Sequence, residues 1–127
     1  MSIKALAMRL VEANRTNNID DLLANDYAAD VVSVEALALN PNFGAEVQGL
    51  DGLKAKHAWW EENMEIHSVS CDGPYIHGDD RFSVVFEADA TDKNSGQRNA
   101  MKEVAVYHVK DGKIAREEFF FDSAAFV

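Results

Sequence analysis

Apolar residues in the first part of the chain recur every three or four positions, which is the spacing of one face of a helix. One such stripe follows Ser2, a suitable N-cap, and contains Ile3, Leu6, Ala7, Leu10 and Ala13. A second short helix is predicted after Asn17 and Asn18, where the acidic residues of the first turn suit the helix dipole. A third helix is predicted over residues 51–64, with a stripe that contains Leu53, His57, Trp60 and Met64.

The remaining segments have the pattern of strands. Residues 31–37 alternate and are rich in β-branched side chains, and residues 40–44 (Asn-Pro-Asn-Phe-Gly) predict a loop. Four further strands are predicted near 65–71, 82–90, 100–109 and 114–121, and Asp111-Gly112 predicts a tight hairpin between the last two. Helices followed by an antiparallel meander predict one α+β domain over residues 1–127, with three helices on one face of a curved sheet.

The composition of the chain mainly excludes certain partners and certain kinds of site. The chain has 127 residues and a formal net charge of −10, and an acidic surface repels nucleic acid and anionic membranes. Cys71 is the only cysteine, which excludes an intrachain disulfide and a cysteine zinc cluster. The histidines lack ligand spacing, and no apolar run reaches the roughly 18 residues that span a bilayer. We predict a cytoplasmic protein with no metal, no cofactor, and no nucleic-acid or membrane partner.

The last strands carry apolar residues on both faces. Val104 and Val106 alternate with Ala105 and Tyr107, and the final strand has phenylalanine on both sides. One layer of helices covers only one face of a sheet, so the other face needs a separate cover. A second copy of the chain is the simplest cover, and we predict a homodimer through the outer sheet face.

Several segments of this sequence resemble a known family. The runs Asn17–Leu23 and Tyr27–Glu35 are similar to the second helix and first strand of the nuclear-transport-factor-2-like superfamily. Gly49–Lys54 resembles the start of its third helix, and Tyr107–Ile114 resembles its closing hairpin. Within the superfamily, the chain most resembles the SnoaL-like polyketide cyclases. The resemblance implies a cystatin-like, cone-shaped antiparallel sheet, a deep pocket between helices and sheet, and dimers formed through the outer face.

The same resemblance bears on one specific activity. Ketosteroid isomerases of this superfamily have a general-base Asp at the end of the first strand, and Glu35 aligns with it. Their oxyanion hole uses a Tyr and a protonated Asp, at positions that align with Leu10 and Ala105. Because neither of these side chains donates a hydrogen bond, we do not expect steroid isomerisation by that mechanism.

Strand alternation predicts which side chains face the pocket. We predict as catalytic residues three carboxylates and one imidazole, Glu35, Glu103, Glu117 and His67. His67 would share its face with Val69 and Cys71. The ligand-binding wall is predicted to contain Trp59, Trp60, Tyr107, Phe119 and Phe121. This mixture suits acid–base chemistry on a small, largely apolar organic ligand.

Each of these residues also has a purely structural interpretation. Glu35 would then lie at a solvated strand end, and Glu103 would be an exposed partner of Arg98 or Arg116. Alternation places only one of Glu117 and Glu118 inside, without saying which. His67 would be a packed or surface histidine, and Trp60 a core residue of its helix.

Three hypotheses about function follow. The first is a cofactor-independent isomerase, cyclase or hydrolase with Glu35 as general base. The second is a non-catalytic protein that binds a small molecule in the same pocket. The third is a structural adaptor whose own side chains fill the pocket.

Overall fold

A computed structural model describes residues 2–38 and 44–121 of the chain. Within these ranges the elements are, in order, α1 (Ile3–Arg15), α2 (Ile19–Asn25), β1 (Tyr27–Val34), β2 (Glu46–Gln48), α3 (Leu50–Asn63), β3 (Met64–His77), β4 (Arg81–Asp92), β5 (Arg98–Lys110) and β6 (Lys113–Phe120). The loop predicted at residues 40–44 lies outside the described residues except for Gly44. None of the helices in these two ranges has the length and apolar character needed to cross a membrane.

The strands form one sheet in the order β2-β1-β6-β5-β4-β3. The strands β3 to β6 form the predicted antiparallel meander, and Asp111 and Gly112 both have positive φ (54° and 75°), as the predicted hairpin requires. β1, however, lies parallel to β6, so the sheet is mixed rather than wholly antiparallel. The short strand β2 pairs with β1 and was not predicted.

The helices pack on one side of this sheet, which we call the inner face. The Ser2 hydroxyl accepts a hydrogen bond from the Ala5 N–H (3.1 Å) and caps α1, as predicted. α1 packs against β3 and β4, whereas α3 packs against β1. Gly49 precedes α3 with φ of 81°, a left-handed conformation that favours glycine. The predicted α+β class, with a curved sheet on three helices, is confirmed over the described residues.

The core fills the space between the helices and the inner face. Its buried strand residues include Val31, Phe82, Val84, Ala105 and Ile114. They contact the buried stripe of α1, which contains Leu6, Ala7, Leu10 and Val11. The opposite, outer face leaves Val104 and Phe120 exposed. Alternation along β5 and β6 therefore separates a buried face from an open one.

Candidate functional site

A buried carboxylate on β6 lies between donors from two different positions of β1. Glu117 is only 2% exposed, and β1 brings Ser33 directly beside it. The Tyr27 hydroxyl donates to Glu117 Oε1 at 2.7 Å, and the Ser33 hydroxyl donates to Oε2 at 2.9 Å. Burial raises the pKa of Glu117, while these hydrogen bonds and the charge of Lys56 act in the opposite direction. The carboxylate is thus fixed in position on both of its oxygens.

Lys56 of α3 connects this carboxylate to a second one. Its ammonium group donates to Ser33 Oγ at 2.9 Å and lies 2.5 Å from Glu35 Oε1. It also lies 5.0 Å from the centre of the Phe119 ring, within the range of a cation–π contact. Glu35 follows β1 directly, and its backbone N–H donates to the Ala45 carbonyl (2.7 Å). A continuous chain of polar contacts therefore runs from Glu35 through Lys56 and Ser33 to Glu117.

The third carboxylate of the inner face titrates near neutral pH. Glu103 of β5 is half-buried, and its pKa is raised to about 7. Burial is the largest cause, and the negative charges of Glu35 and Glu117 add to it, whereas Lys56 lowers the pKa. Glu103 can therefore hold or release a proton near pH 7, as an acid–base group requires. Glu35, Glu103 and Glu117 are called the acidic cluster below.

Two further polar groups beside the cluster stay uncharged. Tyr107 is buried and stacks on Phe82, with ring centres 5.0 Å apart. Burial and the charge of Glu117 raise the pKa of Tyr107, so its hydroxyl keeps its proton. On α3, burial and the neighbouring Lys56 lower the pKa of His57, which favours a neutral imidazole. In the part of the chain that the structure describes, no group of three or more His, Cys, Asp or Glu side chains could hold a metal ion.

An apolar groove lies at the C-terminal end of α3. We call it the tryptophan groove; it has a volume of about 180 Å³ and is lined by Trp59, Trp60, Met64, Ala88, Ala90, Asp92, Gln97, Asn99 and Met101. Met101 lies two residues from Glu103 on the same strand and face, so the groove is close to the acidic cluster. Drug-sized ligands occupy pockets of roughly 300–1,000 Å³, so this groove fits a smaller group. The deep central pocket implied by the family resemblance stays a prediction.

The structure brings most of the predicted residues to the inner face. Glu35, Glu103, Glu117 and Tyr107 belong to one cluster, while Phe119 is half-buried beneath the ammonium of Lys56. Trp59 and Trp60 both line the groove instead. Phe121, just beyond β6, is also half-buried. Their functional roles stay predictions, since position alone does not demonstrate a role.

The observed contacts do not match the purely structural interpretations of the three carboxylates. Arg98 pairs with Asp89 at 2.8 Å, on the outer face, and not with Glu103. Of the two adjacent acids on β6, Glu117 faces in, whereas Glu118 bonds to His108 at 2.8 Å. Glu35 is half-buried and ion-paired, so it does not lie at a fully solvated strand end.

His67 does not join the cluster. It is exposed, and its Nε2 lies 2.7 Å from the Thr91 hydroxyl. The cause is a β-bulge between Ile66 and Ser68, which inserts an extra residue and interrupts alternation along β3. Cys71 keeps the buried position that alternation predicts, but His67 no longer shares its face. The prediction that His67 faces the pocket together with Val69 and Cys71 is therefore wrong about its position, and the alternative of a surface histidine fits the structure.

Three polar residues of this site, Lys56, Ser33 and Tyr27, were not predicted from the sequence. Lys56 follows the buried Leu53 by three positions, so helical spacing places it on the inner side of α3. Ser33 shares the alternating face of Glu35, but its short side chain suggested no role. Tyr27 begins β1, and its partner Glu117 is ninety residues away in sequence. Only the first two positions carried a sequence signal that could have identified them.

Comparison with known proteins agrees with this architecture. The SnoaL-like domain family matches residues 1–121. A candidate SnoaL-like polyketide cyclase [carbohydrate phosphatase] from Mesorhizobium loti is 36% identical, with a TM-score of 0.87 over 95% of this chain and 100% of that one. A nuclear-transport-factor-2-like protein of unknown function from Burkholderia pseudomallei is 24% identical, with a TM-score of 0.75 over 99% and 95%. The second comparison supports the fold alone. No curated protein matches the sequence.

Proposed function

Because the chain belongs to the SnoaL-like family, we propose that its acidic cluster performs acid–base chemistry on a small, largely apolar organic molecule. The observation that carries the proposal is the pKa of Glu103, about 7, in a half-buried position beside Glu35 and Lys56. A group with such a pKa is present in both protonation states at neutral pH, which suits proton transfer. The reaction class is a cofactor-independent isomerisation, cyclisation or hydrolysis.

Glu103 is the better general base, and Glu35 is the second candidate. The Glu35 carboxylate is held by the ammonium of Lys56 at 2.5 Å, so its use as a base requires this ion pair to open. Its negative charge instead helps to raise the pKa of Glu103. In this proposal, Lys56 and Glu35 are positioning residues, and the protonated Tyr107 hydroxyl is available as a donor.

A nitrobenzisoxazole ring opening tests for an accessible base without knowledge of the natural substrate. The base removes the ring C–H proton, the released electron pair forms the nitrile, and the N–O bond breaks to give a phenolate. We expect turnover to rise with pH around 7, and Glu103→Gln to reduce it about 10²-fold or more. Glu62→Gln, on the exposed side of α3, is the control and should keep the wild-type rate. Turnover no faster than in buffer, or an unchanged profile in Glu103→Gln, contradicts the proposal.

The second candidate function is ligand binding without catalysis. The tryptophan groove favours it, because most of its lining is apolar and no part of the acidic cluster is among its lining residues. A binder would be stabilised by ligand through mass action and would release the ligand unchanged. Product analysis after incubation of a stabilising ligand with the protein distinguishes the two functions.

We also propose that the protein acts as a cytoplasmic homodimer through the outer sheet face. Val104 and Phe120 are neighbours on adjacent strands there and are 40% and 55% exposed. A pair of large apolar side chains in that position favours a protein partner, and a second copy is the one that is always present.

Sedimentation of two charge-introducing variants tests the dimer. Phe120→Glu should yield monomers, because it places a charge in the centre of the proposed contact. Met8→Glu on α1 changes a side chain of matched exposure, 54%, and should remain dimeric. Equal masses for both variants contradict a dimer through the outer face.

A further inference from the structure

Both tryptophans line the tryptophan groove. Trp59 and Trp60 are consecutive on α3, so their side chains leave the helix axis about 100° apart. Met64, Ala90 and Met101 contribute apolar surface between them. The result is a concave site to which both indole side chains contribute surface, rather than a flat apolar patch.

One carboxylate supplies the charge of this groove. Asp92 is the charged residue among its described lining side chains, and no lysine or arginine lines the groove within these residues. Asp92 Oδ1 accepts a hydrogen bond from the Asn94 N–H at 2.8 Å, which orients the carboxylate at the edge of the groove. Gln97 and Asn99 add neutral polar groups to the lining. The electrostatics of the groove therefore favour a cation and disfavour an anion.

The edge of the groove is fixed by hydrogen bonds to the end of α3. The backbone carbonyl of Asn63 accepts a hydrogen bond from the Lys93 N–H at 2.9 Å. The side-chain oxygen of Asn63 accepts another from the side-chain amide of Asn94 at 3.0 Å. The Asn63 amide in turn donates to the Trp59 carbonyl at 2.8 Å. The β4–β5 turn and the tryptophan-bearing helix end are thus held together, which reduces the ordering required when a ligand binds.

We propose that the tryptophan groove binds a small organic ammonium ion, such as a quaternary alkylammonium head group. Indole faces attract cations, Asp92 supplies the opposite charge, and a volume of about 180 Å³ fits a head group of a few heavy atoms. An uncharged group of the same shape would contact the same apolar walls but would gain nothing from Asp92 or from the indole quadrupoles. The site is independent of whether Glu103 acts as an acid or a base.

Choline and dimethylbutanol make a matched pair of probes, because a tert-butyl group replaces the trimethylammonium group in the second. Both tryptophans of the chain lie in the groove, so intrinsic fluorescence reports directly on its occupancy. We expect choline to bind about tenfold more tightly than dimethylbutanol. Equal affinities, or no fluorescence change with choline up to tens of millimolar, would overturn the proposal.

Two variants of equal net charge separate the local carboxylate from the overall acidity. Asp92→Asn preserves the acceptor for Asn94 but removes the charge in the groove, and it should abolish the preference for choline over dimethylbutanol. Asp79→Asn removes an exposed charge in the β3–β4 turn and should leave that preference intact. An equal loss of the preference for choline in both variants would overturn the proposal. Neither substitution removes buried apolar contacts, and the two-probe comparison on the unmodified chain decides the question even where a variant does not fold.

Discussion

Replacing Glu103 by glutamine should make the protein more stable, and only above mildly acidic pH. The folded protein holds the Glu103 proton up to a pH of about 7, whereas the unfolded chain releases it near the ordinary glutamate pKa of 4.5. Between these values the folded state binds more protons than the unfolded state, so the free energy of unfolding falls as pH rises. A glutamine side chain cannot ionise, and the Glu103→Gln variant should lack this fall.

The magnitude follows from the shift in pKa. A rise from 4.5 to about 7 is about 2.5 units, and each unit corresponds to 1.36 kcal/mol, so ionised Glu103 destabilises the fold by at most about 3 kcal/mol. This is an upper limit, because the side chain is half-buried and water reaches part of it. The Glu103→Gln variant should match the wild type near pH 4.5 and exceed it by up to about 3 kcal/mol at pH 8.

Urea unfolding at a series of pH values and one protein concentration measures this difference. The control is Glu62→Gln on the exposed side of α3, which should stay within about 0.5 kcal/mol of the wild type at every pH. A difference in unfolding free energy between Glu103→Gln and wild type that is the same at pH 5 and pH 8 would contradict this prediction. It would mean that Glu103 titrates alike in the folded and unfolded states.

Two further predictions concern the surroundings of the cluster. In a carbon-detected NMR titration, the Glu103 pKa should fall in Glu35→Gln, because this variant removes a negative charge. It should rise in Lys56→Met, which removes the positive charge. Shifts of the Glu103 pKa in the same direction in both variants would contradict the assigned causes. Tyr27→Phe leaves a buried carboxylate oxygen without its donor and should destabilise the fold by about 1–3 kcal/mol in urea unfolding. Tyr75→Phe removes an exposed hydroxyl bonded to a carboxylate and is the matched control, expected to cost less than about 1 kcal/mol; equal losses would show that burial of the partner is unimportant.

Local patterns predict those parts of the fold that depend on neighbours in sequence. The stripe of α1, the Ser2 cap and the Asp111-Gly112 hairpin involve residues at most a few positions apart, and all three are present. The parallel pairing of β1 with β6 joins strands more than eighty residues apart, such as Ser33 beside Glu117. The period of a side-chain pattern does not predict such a pairing, because the pairing depends on which distant strands lie side by side in the assembled sheet.

The same distinction explains which site residues could be predicted. Alternation grouped Glu103 with Ala105 and Tyr107 correctly, because β5 and β6 are regular at those positions. It required one of Glu117 and Glu118 to face inward, but only the structure shows that it is Glu117. It failed for His67, where a bulge in β3 changes the face on which the next side chains lie. Lys56 was not predicted because its partners, Ser33 and Glu35, lie in a distant part of the sequence, in β1 and directly after it. The period of the side-chain pattern predicts which face of a helix or strand a residue occupies. Which residues of other elements it contacts is known only once the elements are assembled.

The proposed ammonium site and the proposed acid–base residue are close enough to influence each other. Met101 lines the groove, and Glu103 lies two residues along the same face of β5, roughly 7 Å away. A cation at about 8 Å interacts with a carboxylate by about 2 kcal/mol at an effective dielectric of 20, enough to lower the Glu103 pKa by about 1.5 units. Choline binding near pH 7 should therefore release a fraction of a proton, and this release should vanish in Glu103→Gln while binding persists. Binding without proton release would support the groove and count against the placement of Glu103, so the two proposals fail separately.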